Sequence, residues 1–208
     1  MIQSRLSVLM AERGLKISDL YEETGISKTT LMAIAENTGK GVQFETVDKL
    51  CNFLGVTPCE FFEYSPYLVD IKEYEEGTNQ FKDIEVTINK QNYEKTFYLE
   101  YFIFKEGSYD IPVKNEGFKS YIAIDLMDTD HYDRNEFFNF VSDLTVGFKM
   151  DLINKILNHY KREVENFVQN EKEIDTIERT KVLLSKNDRI LIHLFNDSKI
   201  ETLKKIKL

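Results

Sequence analysis

Cysteine is scarce in this chain. Two occur in 208 residues, Cys51 and Cys59. So sparse a pair builds no disulfide framework and fits a reducing compartment. Nor does a metal site suggest itself, because tetrahedral zinc takes about four ligands at characteristic spacing. The three histidines, His131, His159 and His193, are scattered along the chain. No apolar run approaches the ~20 residues needed to cross a bilayer. The opening Met1-Ile2-Gln3-Ser4-Arg5 leads into a mixed segment with Glu12 and Arg13, unlike the unbroken apolar stretch of a secretory signal. A cytoplasmic protein with no membrane partner is expected. A basic excess is missing too: 27 Lys and Arg stand against 36 Asp and Glu, for a net charge of -9. Non-specific nucleic-acid binders draw their affinity from neutralised phosphates. Any DNA binding by this chain must therefore come from a local face. Nucleophile elbows, phosphate loops and paired metal motifs are also missing. Accordingly no catalytic residue, metal or other cofactor is expected, and the chain is not read as an enzyme.

What the chain does have is enough apolar character, 42%, to bury a core, and enough charge, 30%, to stay in solution. Its length suits two domains. The first stretch, to about Tyr64, reads as short helices. Ile2, Leu6, Leu9 and Met10 recur at helical spacing and Gly14 ends that helix. Ile17 to Thr24 forms the next helix, stopped by Gly25, which takes a positive φ without cost. Ser27 is a good N-cap for Lys28 to Asn37. Gly39 and Gly41 break the chain. Phe44, Val47, Leu50, Cys51 and Leu54 then repeat as a helical stripe closed by Gly55. Thr57-Pro58-Cys59-Glu60 is a capping box with proline at the first helical position, and Phe61 and Phe62 pack that last turn inward.

Ser65-Pro66 reads as a boundary, since proline pushes the residue before it out of helix. We expect three segments: 1–66, a helical domain; 67–80, an acidic connector; and 81–208, a mixed α/β domain. Ile84 to Ile88 alternates like a half-buried strand, and Asn89 to Asn92 is a turn. Thr96 to Phe104 is aromatic and β-branched, a second strand. Tyr121 to Leu126 is a third. Phe137, Phe138, Phe140 and Val141 sit in a short helix, and a long one runs from Phe148 to Asn170. On it Leu152, Ile153, Ile156, Leu157, Tyr160, Val164, Phe167 and Val168 form one stripe. Ile190 to Phe195 reads as a buried strand, and the tail Ile200 to Leu208 as a weak basic helix. The fold class is therefore α+β: an all-α bundle followed by a mixed domain.

Residues 15–37 resemble the Cro/repressor-type helix-turn-helix family, and the resemblance extends over residues 1–64. The order helix, Gly25-Ile26-Ser27, helix matches the family's turn, and Leu20, Ile26, Leu31 and Ile34 fall where its two helices pack together. Asp48 to Val56, followed by Glu60-Phe61-Phe62, looks like the closing helices of compact members. Two positions depart from the pattern: Ile17 replaces a usual glutamine, and Tyr21 stands where a small residue is common. The resemblance implies that the second helix enters the major groove, where base edges carry a distinct donor and acceptor code. Its leading residues, Lys28, Thr29, Thr30, Met32 and Ala33, would face bases and phosphates; Lys40 and Gln43 would hold the backbone from the next loop. Up to Tyr64 the segment has six basic and nine acidic residues, a balance of -3. One copy offers few phosphate contacts, so a homodimer on double-stranded DNA is expected.

The remainder resembles no family. Asp125, Asp128, Asp130, His131 and Asp133 cluster, but without the central glycine and closing glutamate of a calcium loop. They read as an acidic loop, His193 as a satisfied core histidine, and Cys51 as core. The C-terminal region is expected to dimerise, sense a signal or hold a protein partner. Taken together, the sequence points to a repressor-like transcriptional regulator of the kind phages and mobile elements encode. The alternative is an inhibitor or adaptor, of the anti-CRISPR kind, whose C-terminal domain binds a target protein. There the helix-turn-helix would control the protein's own gene or assist inhibition.

Overall fold

The computed structural model describes residues 1–74, 80–108 and 117–208. The chain is α+β and falls into two compact units, Met1–Pro66 and Tyr67–Leu208.

The first unit opens with a strand, β1 (Ile2–Ser4), followed by α1 (Leu6–Arg13), α2 (Ile17–Thr24), α3 (Lys28–Ala35), α4 (Phe44–Leu54) and α5 (Pro58–Phe61). It closes with β2 (Phe62–Tyr64). Gly14, Gly25 and Gly55 end α1, α2 and α4 in left-handed conformation, at φ 64°, 70° and 66°. A side chain there would be strained. The capping box of α5 forms: the Glu60 carboxylate accepts from Thr57 N at 2.7 Å and from Thr57 Oγ1 at 2.8 Å. One core joins Leu6, Leu9, Leu20, Ile26, Leu31, Val47, Leu50, Cys51, Leu54 and Phe61. Two expectations need correcting. Ile2 does not extend the first helix; it lies in β1 and is 71% exposed. Strand β1 pairs antiparallel with β2, Ile2 opposite Tyr64 and Ser4 opposite Phe62, so the two ends of the unit close on each other. A pairing across sixty residues leaves no local periodicity to read. Phe44 leaves the stripe of α4 as well and is 95% exposed.

The second unit holds β3 (Leu68–Glu73), β4 (Ile84–Lys90), β5 (Tyr93–Lys105), β6 (Ser120–Leu126), α6 (Arg134–Asp143) and α7 (Val146–Gln169). After these come β7 (Glu173–Asp175), β8 (Lys181–Leu183), β9 (Arg189–Leu194) and β10 (Thr202–Lys207). Six strands form one sheet in the order β10-β9-β6-β5-β4-β3, and β7 pairs with β8 as a separate ribbon. Neighbours run antiparallel except β6 and β9, which are parallel. A parallel pair needs a long crossover, and α6 and α7 lie within it. Their buried faces meet one side of the sheet. Phe137 of α6 lies 5.2 Å from Phe97 of β5, and Tyr160 of α7 lies 5.8 Å from Tyr101, ring to ring. Ile84, Val86, Ile122 and Ile124 line the same core.

Two further readings are overturned. Within the stretch expected to be a connector, 67–80, Leu68–Glu73 is a strand. The acidic composition hides a period of two, with Val69 and Ile71 half-buried between exposed Asp70 and Lys72. Residues 75–79 of that stretch lie outside the described residues. The basic tail is not a helix. Thr202–Lys207 is β10, with Ile206 buried opposite Ile190 of β9. The exposed backbone of β9 offers a ladder that outweighs the weak helical preference of lysines.

Candidate nucleic-acid interface

The candidate interface is built from α2, α3 and the loop after it. Asp19 accepts from Lys16 N at 2.8 Å and so caps α2, and Gly25 N donates to Tyr21 O at 3.0 Å as the helix ends. Ser27 then starts α3, its hydroxyl oxygen accepting from Thr30 N at 3.2 Å. Ile26, between the two helices, is buried with Leu20 and Leu31, which fixes the angle at which α3 leaves the turn. Ile34 packs partly against the same cluster.

The far end of α3 is held by a clamp that sequence reasoning missed. Asn37, in left-handed conformation at φ 54°, accepts from Ser4 N at 2.7 Å and donates to Ser4 O at 3.1 Å through its side-chain amide. Ser4 Oγ in turn donates to Ile34 O at 2.6 Å. Strand β1 thus adds a donor to the Ile34 carbonyl in the last turn of α3, where carbonyls lack intrahelical partners, and ties down the Asn37 side chain just beyond it. The only local signal is an asparagine just past the helix, since its partner lies 33 residues away.

These anchors leave the leading face of α3 exposed. Lys28, Thr29 and Thr30 are all exposed, Met32 is 49% exposed, and Ala33 is half-buried. The Thr30 hydroxyl is engaged with Ser27 Oγ at 2.8 Å, while no other described residue engages Thr29 Oγ1. Lys40 and Gln43 are exposed on the loop that leads to α4. Gln43 is the N-cap residue of α4, but its side chain makes no cap bond, so the amide is not spent on the helix. The five α3 residues therefore share one short helix, with Lys40 and Gln43 on the adjoining loop.

The two departures from the family pattern have structural accounts. Tyr21 is 45% exposed and does not enter the packing of α2 on α3; Lys28 Nζ sits over its ring at 5.2 Å. A cation over an aromatic face is held by the ring quadrupole, which restrains the first cation of α3. Ile17 packs against the core as a partly buried side chain. Cys51 is buried, and burial pushes its thiol up from the ordinary value.

In the second unit the acidic cluster is dispersed into structural roles. Asp125 pairs with Arg134 at 2.7 Å, and Asp133 caps α6 by accepting from Asn135 N at 2.9 Å. His193 is buried, with Nδ1 against the Tyr121 hydroxyl and Nε2 2.6 Å from a Glu201 carboxylate oxygen. No helix among the described residues is long and apolar enough to cross a membrane.

Neither a curated protein nor a solved structure matches the chain. One protein family does: residues 5–67 match the Cro/C1-type HTH DNA-binding domain. The matched span covers α1 to α5 and the turn between α2 and α3. The N-terminal third of this chain is a Cro/C1-type helix-turn-helix DNA-binding domain.

Proposed function

We propose that the protein is a transcriptional regulator that binds an operator as a homodimer and represses from it. The observation that carries this reading is the exposed start of α3, Lys28-Thr29-Thr30, in a domain of DNA-binding family. In this reading α3 enters the major groove. Lys28 donates to guanine or phosphate, Thr29 bonds a base or offers its methyl to thymine, and Thr30 supports the helix start. Met32 and Ala33, one turn on, make apolar contact. Lys40 and Gln43 reach the phosphate backbone and set register. The chain needs no cofactor for this. With six basic against nine acidic residues up to Tyr64, one domain has little electrostatic hold on DNA. A second copy doubles it. Selection from a random duplex pool, followed by footprinting, tests the reading. A two-fold site is expected, with half-sites roughly 34 Å apart or a multiple of it. Failure to enrich any sequence overturns it.

A second reading draws on one observation. Phe44 is 95% exposed, and Val42 and Met32 are also exposed on the same domain. Exposed apolar groups of this size suit protein contact. They favour an inhibitor or adaptor of the anti-CRISPR kind, whose C-terminal domain binds a protein target while the helix-turn-helix domain assists the contact. Stoichiometric capture of one target that competes with DNA, and is lost in Phe44→Ser, would decide for it.

A further inference from the structure

The six-stranded sheet of the second unit has two edges, and they are built differently. Strand β10 carries Lys204, Lys205 and Lys207 and no acid between Thr202 and Lys207. Self-pairing of such an edge sets like charges against each other, a common guard against association. Strand β3 reads Leu68-Val69-Asp70-Ile71-Lys72-Glu73 and mixes both signs.

The register shows which groups β3 turns outward. Tyr74 N donates to Asp83 O at 2.8 Å, so this pair exchanges bonds. Counting back in steps of two, Lys72 with Glu85, Asp70 with Thr87 and Leu68 with Asn89 are the bonded pairs. The N–H and C=O groups of Val69, Ile71 and Glu73 therefore point away from the sheet, and among the described residues no strand pairs with them. Beside them a groove of about 580 Å³ separates β3 from α7, and Val69 and Ile71 are only half-buried along it.

We propose that β3 is the dimer surface: two copies join antiparallel, Ile71 opposite Ile71, into one continuous sheet across the two-fold axis. This rests on the dimeric operator reading above and names the surface it uses. In this register the outward groups of Val69, Ile71 and Glu73 meet their counterparts in about six hydrogen bonds. Asp70 stands opposite Lys72 of the partner subunit, and Lys72 opposite Asp70 of the partner subunit. Today Asp70 and Lys72 pair along their own strand at 2.8 Å, both exposed; joined, the two strands bring four charges of alternating sign together. Neighbouring registers lack this match. Centring on Glu73 sets a carboxylate against its own copy. Centring on Val69 sets Asp70 opposite Leu68 and Lys72 opposite Pro66, so neither charge meets its opposite. In the Ile71 register the two Leu68 positions lie about 20 Å apart along the joined strands. The chain therefore enters the joined strands from opposite ends in the two copies.

The test uses full-length protein, sedimentation over a range of concentrations, and two charge variants. D70K places two lysines opposite two lysines in the homodimer, and K72D places aspartates opposite aspartates. Each should raise the dimer Kd by about tenfold or more, with the melting temperature of the second unit little changed. Mixed in equal amounts, the two variants should recover dimers, because the lysines of one strand then face the aspartates of the other. Loss of a contact within one chain cannot be rescued by mixing. Wild-type dimers with undiminished dimerisation in both variants would overturn the β3 surface and leave the dimeric operator reading standing. Weakened variants that mixing does not rescue would overturn the register. A wild-type chain that stays monomeric throughout would overturn this surface and the dimeric reading together.

Discussion

Lys28 and Phe44 are both exposed within the first unit, yet their sequence contexts read in opposite ways. Lys28 follows a serine N-cap and is legible as the start of a helix in a familiar turn. Phe44 shares helical spacing with Val47, Leu50, Cys51 and Leu54, so periodicity assigns it to the core, whereas it is 95% exposed. Spacing says which side of a helix a residue lies on; burial also needs a neighbour at that height, and among the described residues none covers the first residue of α4. The difference can be measured. Phe44→Ser should shift stability by no more than about 0.5 kcal/mol, as exposed positions do, whereas a buried phenylalanine truncated to alanine costs about 3–5 kcal/mol. A loss of that size on thermal melting would return Phe44 to the core. The double variant Lys28→Ala with Thr29→Ala should melt normally and lose specific DNA binding, at about 1–3 kcal/mol per good base contact. Unchanged affinity for a selected site would remove α3 from the groove.

At the scale of elements, the seam between α6 and β5 turns on Glu136. Its carboxylate accepts from the Tyr93 hydroxyl at 2.9 Å and pairs with Lys95 at 3.0 Å. Lys95, and then Tyr93, hold the carboxyl below its ordinary value of 4.5. Burial, and then Glu136, push the Tyr93 phenol up from 10.0 to about 12. The signs follow from linkage. The Glu136 contribution is fully present above the ordinary carboxylate value and is lost as the pH falls through the lower folded value. The Tyr93 contribution is fully present below pH 10.0 and is lost as the pH rises toward about 12. Melting temperature should therefore fall at both extremes. Glu136→Gln should flatten the acid limb, and Tyr93→Phe should lessen the alkaline one; profiles parallel to wild type would show the seam does not titrate in this way. Strand β3 and strand β10 teach a second point at this scale. Both were hidden by composition, one acidic and one basic, because a strand at a sheet edge keeps polar side chains and takes its order from the neighbour it pairs with.

For the whole molecule, the question is how an acidic chain holds DNA. With a balance of -3 up to Tyr64 and -9 overall, the dimeric operator reading draws its affinity from few phosphate contacts made twice. The dependence of log K on log salt should be shallow, well below the ~10 of heavily basic binders. A slope that steep would show a phosphate surface elsewhere. Residues 1–66 expressed alone should fold as a helical unit, since their core and their β1–β2 closure are internal, and should bind a selected site more weakly than the full chain. Equal affinity would exclude dimerisation through the C-terminal residues.

What the sequence determined by itself was local. Gly14, Gly25 and Gly55 end helices because only glycine takes a left-handed corner freely, and the Thr57–Glu60 capping box and the long stripe of α7 are complete within a few turns. The Gly25-Ile26-Ser27 turn, set between Leu20 and Leu31, carried the family likeness in the same way. The tertiary structure decided whatever depends on partners far along the chain. It joined β1 to β2, anchored α3 through Ser4 and Asn37, made strands of an acidic stretch and a basic tail, and laid β9 parallel to β6. It also left Phe44 in solvent and dispersed the Asp125–Asp133 cluster into an ion pair and a helix cap. The β1–β2 closure, the Ser4–Asn37 anchor and the β6–β9 pairing rest on hydrogen bonds between residues tens of positions apart, and no short window of sequence holds both ends of such a contact.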